Sequence, residues 1–138
     1  MQVTVARSFF KKIELLEDKV EEAAKGKAKE IVDTAVDLSP VDTGAFVESW
    51  QINPRGDRTR RSRSPAGRPK LPDGAKQAKR DEEKVRLNNR VDSFDFEGLD
   101  GFTITNTAPH INEINKNPNL KTGDHPSVIQ VKLKDRFR

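Results

Sequence analysis

The sequence predicts an α+β domain with a long helix towards each end, and three observations predict it. Apolar residues recur at three- or four-residue steps from residue 5 to residue 38, the period of an amphipathic helix. Phe102, Ile104 and Asn106 alternate with Thr103, Thr105 and Thr107, a β-branched run that fits a strand. Asp124-His125-Pro126 then reads as a helix start, with Pro126 at the first helical position.

The first helix carries its stripe on Phe9, Ile13, Leu16, Val20, Ala24, Ala28, Ile31, Ala35 and Leu38. Its middle thins to alanines, which either admit another element closely or mark weak burial. Gly26 is a candidate break, at a cost of about 1 kcal/mol relative to Ala. Ser39-Pro40 ends the helix, because the residue before proline avoids the α region.

Val41-Asp42-Thr43-Gly44 follows as a tight polar turn, in which Gly44 tolerates positive φ. Ala45 to Ile52 is a strand, or a short helical turn leading into one. Phe46, Glu48, Trp50 and Ile52 fall on one side of that strand, and Trp50 is the expected core anchor.

Pro54–Pro72 holds four prolines, two glycines and Leu71 as its only large apolar residue, and reads as a long mobile loop. Asp73 to about Arg90 is rich in helix formers, with Asp73 as the expected N-cap. Ala75, Ala78, Val85 and Leu87 give only a weak stripe, so this middle helix is expected to be mostly exposed. Asp92–Gly98 breaks it. Ala108-Pro109 ends the strand that starts near Phe102, and His110–Ile114 is a short strand or helical turn. Residues 115–123 read as loop. Val128, Ile129, Val131, Leu133 and Phe137 line the last helix, although Val128–Val131 also suits a strand.

Composition narrows the function classes. The 138 residues are 33% apolar and 35% charged, with a mean hydropathy of −0.83. A chain this polar buries a thin core by itself or completes its burial against a partner. No cysteine is present, which excludes disulfides, thiol catalysis and Cys-ligated metals. No apolar run approaches the ~20 residues of a membrane span. The first residues lack the features of a signal peptide, which leads us to expect a cytoplasm-like compartment.

The net charge of +4 is unevenly placed. Residues 54–80 carry ten basic residues (Arg55, Arg58, Arg60, Arg61, Arg63, Arg68, Lys70, Lys76, Lys79 and Arg80) against Asp57 and Asp73, a local charge of +8 on a body of −4. Such a segment suits phosphates or an acidic protein surface, or simply keeps the protein soluble. It holds no aromatic residue, which argues against stacking on single-stranded bases.

No catalytic constellation is evident. The sequence has no G-x-S-x-G, no Walker A loop and no G-x-G-x-x-G. A metal site would have to combine His110 and His125 with carboxylates such as Glu113 or Asp124, and two histidines make a weak set. Neither an enzyme nor a cofactor is expected.

Two stretches resemble one family. Ser39-Pro40-Val41-Asp42-Thr43-Gly44-Ala-Phe-Val-Glu-Ser-Trp50 resembles the S-P-V-D-T-G-x-[LF]-x-x-S-W signature of tailed-bacteriophage neck and tail-completion proteins. Ile104-Thr105-Asn106-Thr-Ala-Pro109-His-Ile-Asn-Glu-Ile114 resembles the family's I-T-N-x-x-P-Y-A, with His110 where Tyr is common. The order of elements is similar too, over most of the chain.

The resemblance implies a single domain over residues 1–138. In it, a long N-terminal helix and a C-terminal helix pack on a small antiparallel sheet, with the basic loop 54–72 inserted and the middle helix exposed. It further implies a virion protein made in the bacterial host cytoplasm. Such subunits form a ring, usually hexameric, at the head–tail junction, either as a neck or tail-completion protein or as a tail terminator. The implied partners are other copies of the chain, the adjoining portal or connector and tail proteins, and double-stranded DNA passing without sequence recognition.

The loop residues Arg55, Arg58, Arg60, Arg61, Arg63, Arg68 and Lys70 are then candidates for touching DNA phosphates or, slightly preferred, an acidic surface of the adjoining ring. The alternative reading is a small basic nucleic-acid-binding protein.

Overall fold

The computed structural model describes residues 1–6, 17–57, 68–95, 101–118, 120 and 123–136. The chain is α+β, with three helices packed on a three-stranded antiparallel sheet. In order the elements are β1 (Gln2–Ala6), α1 (Glu17–Leu38), α2 (Ala45–Glu48), β2 (Trp50–Pro54), α3 (Asp73–Asp92), β3 (Gly101–Asn106), α4 (Ile111–Lys116) and α5 (Pro126–Arg136). The sheet order is β1-β3-β2, so the Thr-rich β3 is central. Val3 lies opposite Ile104 on one side of β3, and Ile52 lies opposite it on the other.

One sheet face is apolar and the other polar, because side chains alternate along each strand. Val3, Trp50, Ile52, Phe102 and Ile104 are buried. Packed with them are Ile31, Val32, Ala35 and Val36 of α1, Leu87 and Val91 of α3, and Ile129 and Leu133 of α5. The alanines of α1 are contact points: Ala24, Ala28 and Ala35 are buried, and small side chains let α3 lie close along α1. No helix among the described residues is long and apolar enough to cross a membrane.

Several expectations need correction. The helix expected from residue 5 is a strand at its start, since Gln2–Ala6 pairs with Gly101–Thr105. The β-branched Val3, Thr4 and Val5 favour a strand, and the pairing lies about a hundred residues away, beyond any local pattern. The stripe residues Phe9, Ile13 and Leu16 lie outside the described residues. Gly26 does not break α1; the helix runs through it, and no atom lies within 4 Å of where its Cβ would be.

Of the two readings for Ala45–Ile52, the helical turn leading into a strand is the one formed. Residues 45–48 are helical, so the expected alternation of Phe46 and Glu48 with Trp50 does not hold there. Asp73 is not the N-cap of α3. Pro72 holds that position with φ −58° and ψ 148°, and Asp73 is helical and pairs with Lys76 at 3.0 Å.

As expected, α3 is mostly exposed, but its inward stripe differs from the expected one. It buries Glu83, Leu87 and Val91, spaced by four residues, while Val85 stays 60% exposed. That inward stripe was hidden because its first member is a glutamate. α4 extends to Lys116, into the span expected as loop. On α5 the inward residues are Pro126, Ile129 and Leu133. Val128 and Val131 are exposed, and Phe137 lies outside the described residues.

Candidate functional site

The stretch that resembles the first signature is a corner between α1 and the sheet. Ser39 is fully buried where α1 ends. Its Oγ donates to the Ala35 carbonyl at 2.7 Å and accepts the indole Nε1–H of Trp50, also at 2.7 Å. A buried indole N–H needs such a partner. Pro40 stops the helix, and Val41 enters the core.

Thr43 Oγ1 accepts the Ala45 N–H at 3.2 Å, which starts the short α2. Gly44 sits at φ 91°, where a side chain is strained. A Cβ there would also lie 3.3 Å from Lys79 Cε and 3.5 Å from Leu71 Cδ1. Trp50 is fully buried and meets Phe46 edge-on, with 6.0 Å between ring centroids.

The second stretch folds onto the first. Asn106, 3% exposed, donates from Nδ2 to the Phe46 carbonyl at 2.9 Å and accepts the Ala108 N–H on Oδ1 at 3.0 Å. The Thr107 N–H donates to the Ser49 carbonyl at 3.1 Å. Thr105 lies in β3 between Gln2 and Gln51, and Pro109 is exposed in the turn before α4. Segments about sixty residues apart are thus joined by an asparagine that no aliphatic residue could replace without orphaning the Ala108 N–H and cutting the tie to the Phe46 carbonyl.

Beside this corner lies a charge cluster that the sequence did not reveal. Arg68 Nη2 donates to Glu48 Oε1 at 2.9 Å, and Arg68 Nη1 donates to the other carboxylate oxygen. Lys79 Nζ lies 2.6 Å from Glu48 and 3.4 Å from Glu83. Arg86 Nε closes the chain on Glu83 at 2.5 Å, and its Nη2 donates to the Trp50 carbonyl at 2.9 Å. Main-chain pairing adds to this, with the Leu71 N–H donating to the Asp42 carbonyl at 2.7 Å. Residues 68–72 form a strap pinned across the turn at Asp42–Gly44. The only advance signal for the cluster was Glu48, a charge among buried neighbours.

The candidate loop residues therefore divide. Arg68 is engaged by Glu48, and Arg55 and Lys70 are exposed at either stem of the loop. Arg58, Arg60, Arg61 and Arg63 lie outside the described residues. The helical part of the basic segment is engaged as well: Lys76 by Asp73, Lys79 by Glu48, and Arg80 by the Ser39 carbonyl at 2.8 Å.

Arg68, with Lys79 beside it, holds the Glu48 carboxyl down at about 2, against an ordinary 4.5. A carboxyl lowered on folding adds stability that is complete above pH 4.5 and fades as pH falls towards 2. Glu48→Gln should cost about 1–2 kcal/mol at pH 7, the partly exposed site being discounted for solvent screening. The gap to the wild type should narrow between pH 4.5 and 2. Urea titrations at pH 7 and pH 3 measure it, and an equal gap at both would rule out the ion pair as its source.

His125 Nε2 is 2.6 Å from the Asn117 carbonyl, and Asp124 pairs with Lys132 at 2.6 Å. Among the described residues, no group of three or more His, Asp or Glu side chains is placed to hold a metal. No family model, curated protein or solved structure matches the chain; function has to be argued from its residues and their geometry.

Proposed function

We propose that the chain is a structural subunit of a ring at the head–tail junction of a tailed bacteriophage, joining connector to tail and letting DNA pass. The observation that carries this reading is the clasp between the two signature-like stretches. Asn106 of the second stretch bonds the Phe46 carbonyl of the first, while Ser39 and Trp50 bond each other within the first, all inside the core. Residues that a family shares for architecture behave in this way, whereas catalytic side chains face a cleft. The reading assigns no catalysis and no cofactor.

Low apolar content supports the same reading, since a subunit that gains burial from neighbours needs less core of its own. The pinned strap gives the arginine-rich segment a fixed exit point beside α2. In this reading Arg58, Arg60, Arg61 and Arg63, with the exposed Arg55 and Lys70, meet an acidic surface on the adjoining ring.

Native mass spectrometry is the direct test: the 15.6 kDa chain should assemble into a closed ring, by itself or on its connector. Replacing Arg58, Arg60, Arg61 and Arg63 together with Ser should abolish head–tail joining in a complementation assay while the subunit stays folded. Normal joining with altered DNA retention would move these arginines to the DNA instead. A stable monomer that binds duplex DNA with a steep salt dependence would overturn the ring and favour a nucleic-acid-binding protein.

A further inference from the structure

The two edges of the sheet are treated differently. On β2 the main-chain groups that point away from β3 belong to Trp50, Ile52 and Pro54, because Ser49 and Arg55 bond inward to Thr107 and Gly101. That edge is closed. Arg86 occupies the Trp50 carbonyl, Pro54 has no N–H, Ile52 is 1% exposed, and Arg90 of α3 reaches over to the Asn53 side chain at 3.2 Å. Charge and proline are the usual guards of a sheet edge.

On β1 the outward groups belong to Gln2, Thr4 and Ala6, since Met1 bonds inward to Asn106. Here the strand itself carries no such guard. Gln2–Ala6 holds no charge and no proline, in a chain that is 35% charged. Thr4 is exposed, and among the described residues nothing bonds its N–H or carbonyl. Among the described residues the Gln2 carbonyl accepts the neutral amide of Gln130 at 3.2 Å, which an incoming strand's N–H replaces like for like.

We infer that β1 is a pairing edge for a second copy of this chain, in antiparallel register about a two-fold axis at Thr4. The occupant follows from the strand itself. Centred there, Thr4 pairs with the partner's Thr4, Val3 falls opposite the partner's Val5, and Gln2 falls opposite the partner's Ala6. Thr meets Thr, Val meets Val, Gln2 falls beside a small alanine, and within residues 2–6 no like charges oppose. The guarded β2 edge excludes the head-to-tail alternative of β1 on a neighbour's β2.

The product is a continuous six-stranded sheet. It is isologous and closed, which keeps an unguarded edge from recruiting further chains. The pairing is independent of the ring, because a two-fold contact neither builds a cyclic ring nor requires one.

The absence of cysteine provides the test. Opposed residues at the axis sit about 5.5 Å apart at Cα, within disulfide range. Two Gln2 residues would be about 13 Å apart along the strands. Full-length Thr4→Cys, oxidised with diamide, should form a covalent dimer at least tenfold faster than Gln2→Cys. Thr4→Lys, which sets two ammonium groups face to face, should lower the dimer fraction of the uncross-linked protein several-fold in analytical ultracentrifugation.

Equal cross-linking of both cysteine variants would mean random collision and would overturn the pairing. So would a folded Thr4→Cys protein that stays monomeric, or a Thr4→Lys variant as dimeric as the wild type. The ring's stoichiometry, read by native mass, leaves these outcomes unchanged.

Discussion

Trp50→Ala should cost about 4 kcal/mol, a large part of the stability of a domain this size. Two effects add. The indole is the largest fully buried side chain, lying against Phe46 and between α1 and the sheet, so truncation opens a cavity. Ser39 also loses the donor that its Oγ accepts inside the core. Trp50→Phe keeps most of the ring, loses only the N–H and part of the volume, and should be destabilised less. Far-UV circular dichroism in urea ranks the three proteins without relying on the lost fluorophore. A Trp50→Ala midpoint close to that of the wild type would contradict the packing described above.

Gly123→Ala should cost about 3 kcal/mol and lower the melting temperature by roughly 10 °C. A Cβ at Gly123 would lie 2.5 Å from the Pro40 nitrogen, 2.6 Å from the Ser39 carbonyl carbon and 2.7 Å from the Leu38 oxygen. All three are main-chain atoms, so no rotamer change relieves the clash. The chain is also held there, because the Asp124 N–H caps the Leu38 carbonyl at 2.8 Å. Gly26→Ala is the internal control. Its Cβ meets nothing within 4 Å, so this helical glycine should gain up to about 1 kcal/mol. Calorimetry on the two variants reads both signs. A Gly123→Ala protein as stable as the wild type would mean that the segment before α5 does not close on the end of α1.

Both predictions concern the same corner, where α1 ends, Trp50 enters the core and the segment before α5 returns. The Glu48 cluster borders it through Arg86 on the Trp50 carbonyl. The corner that resembles a family signature is also where the fold is closed, and for that reason we read its residues as architectural.

How much was legible varied with the range of the interaction. The C-terminal end of α1 was legible at Ser39-Pro40, because proline acts on its immediate neighbour. β3 was legible in its Thr alternation, and the start of α5 in Pro126. On the inward face of α3, Leu87 was legible but Glu83 was missed, because it is buried by its pairs with Lys79 and Arg86 rather than by being apolar. Arg68 looked like one more free charge in a basic loop, and only folding sets it against Glu48.

The sequence by itself determined the α+β class, the turn at Gly44, the Trp50 anchor and the uneven charge. Each rests on local sterics, on side-chain period or on composition. Tertiary structure alone decided that residues 2–6 form an edge strand, that Asn106 joins two distant segments, and that part of the basic segment is neutralised while Arg55 and Lys70 stay exposed. The physical reason is common to all three. A main-chain ladder, a buried amide or an ion pair takes its value from a partner, and the partners here lie between about 20 and 100 residues away along the chain.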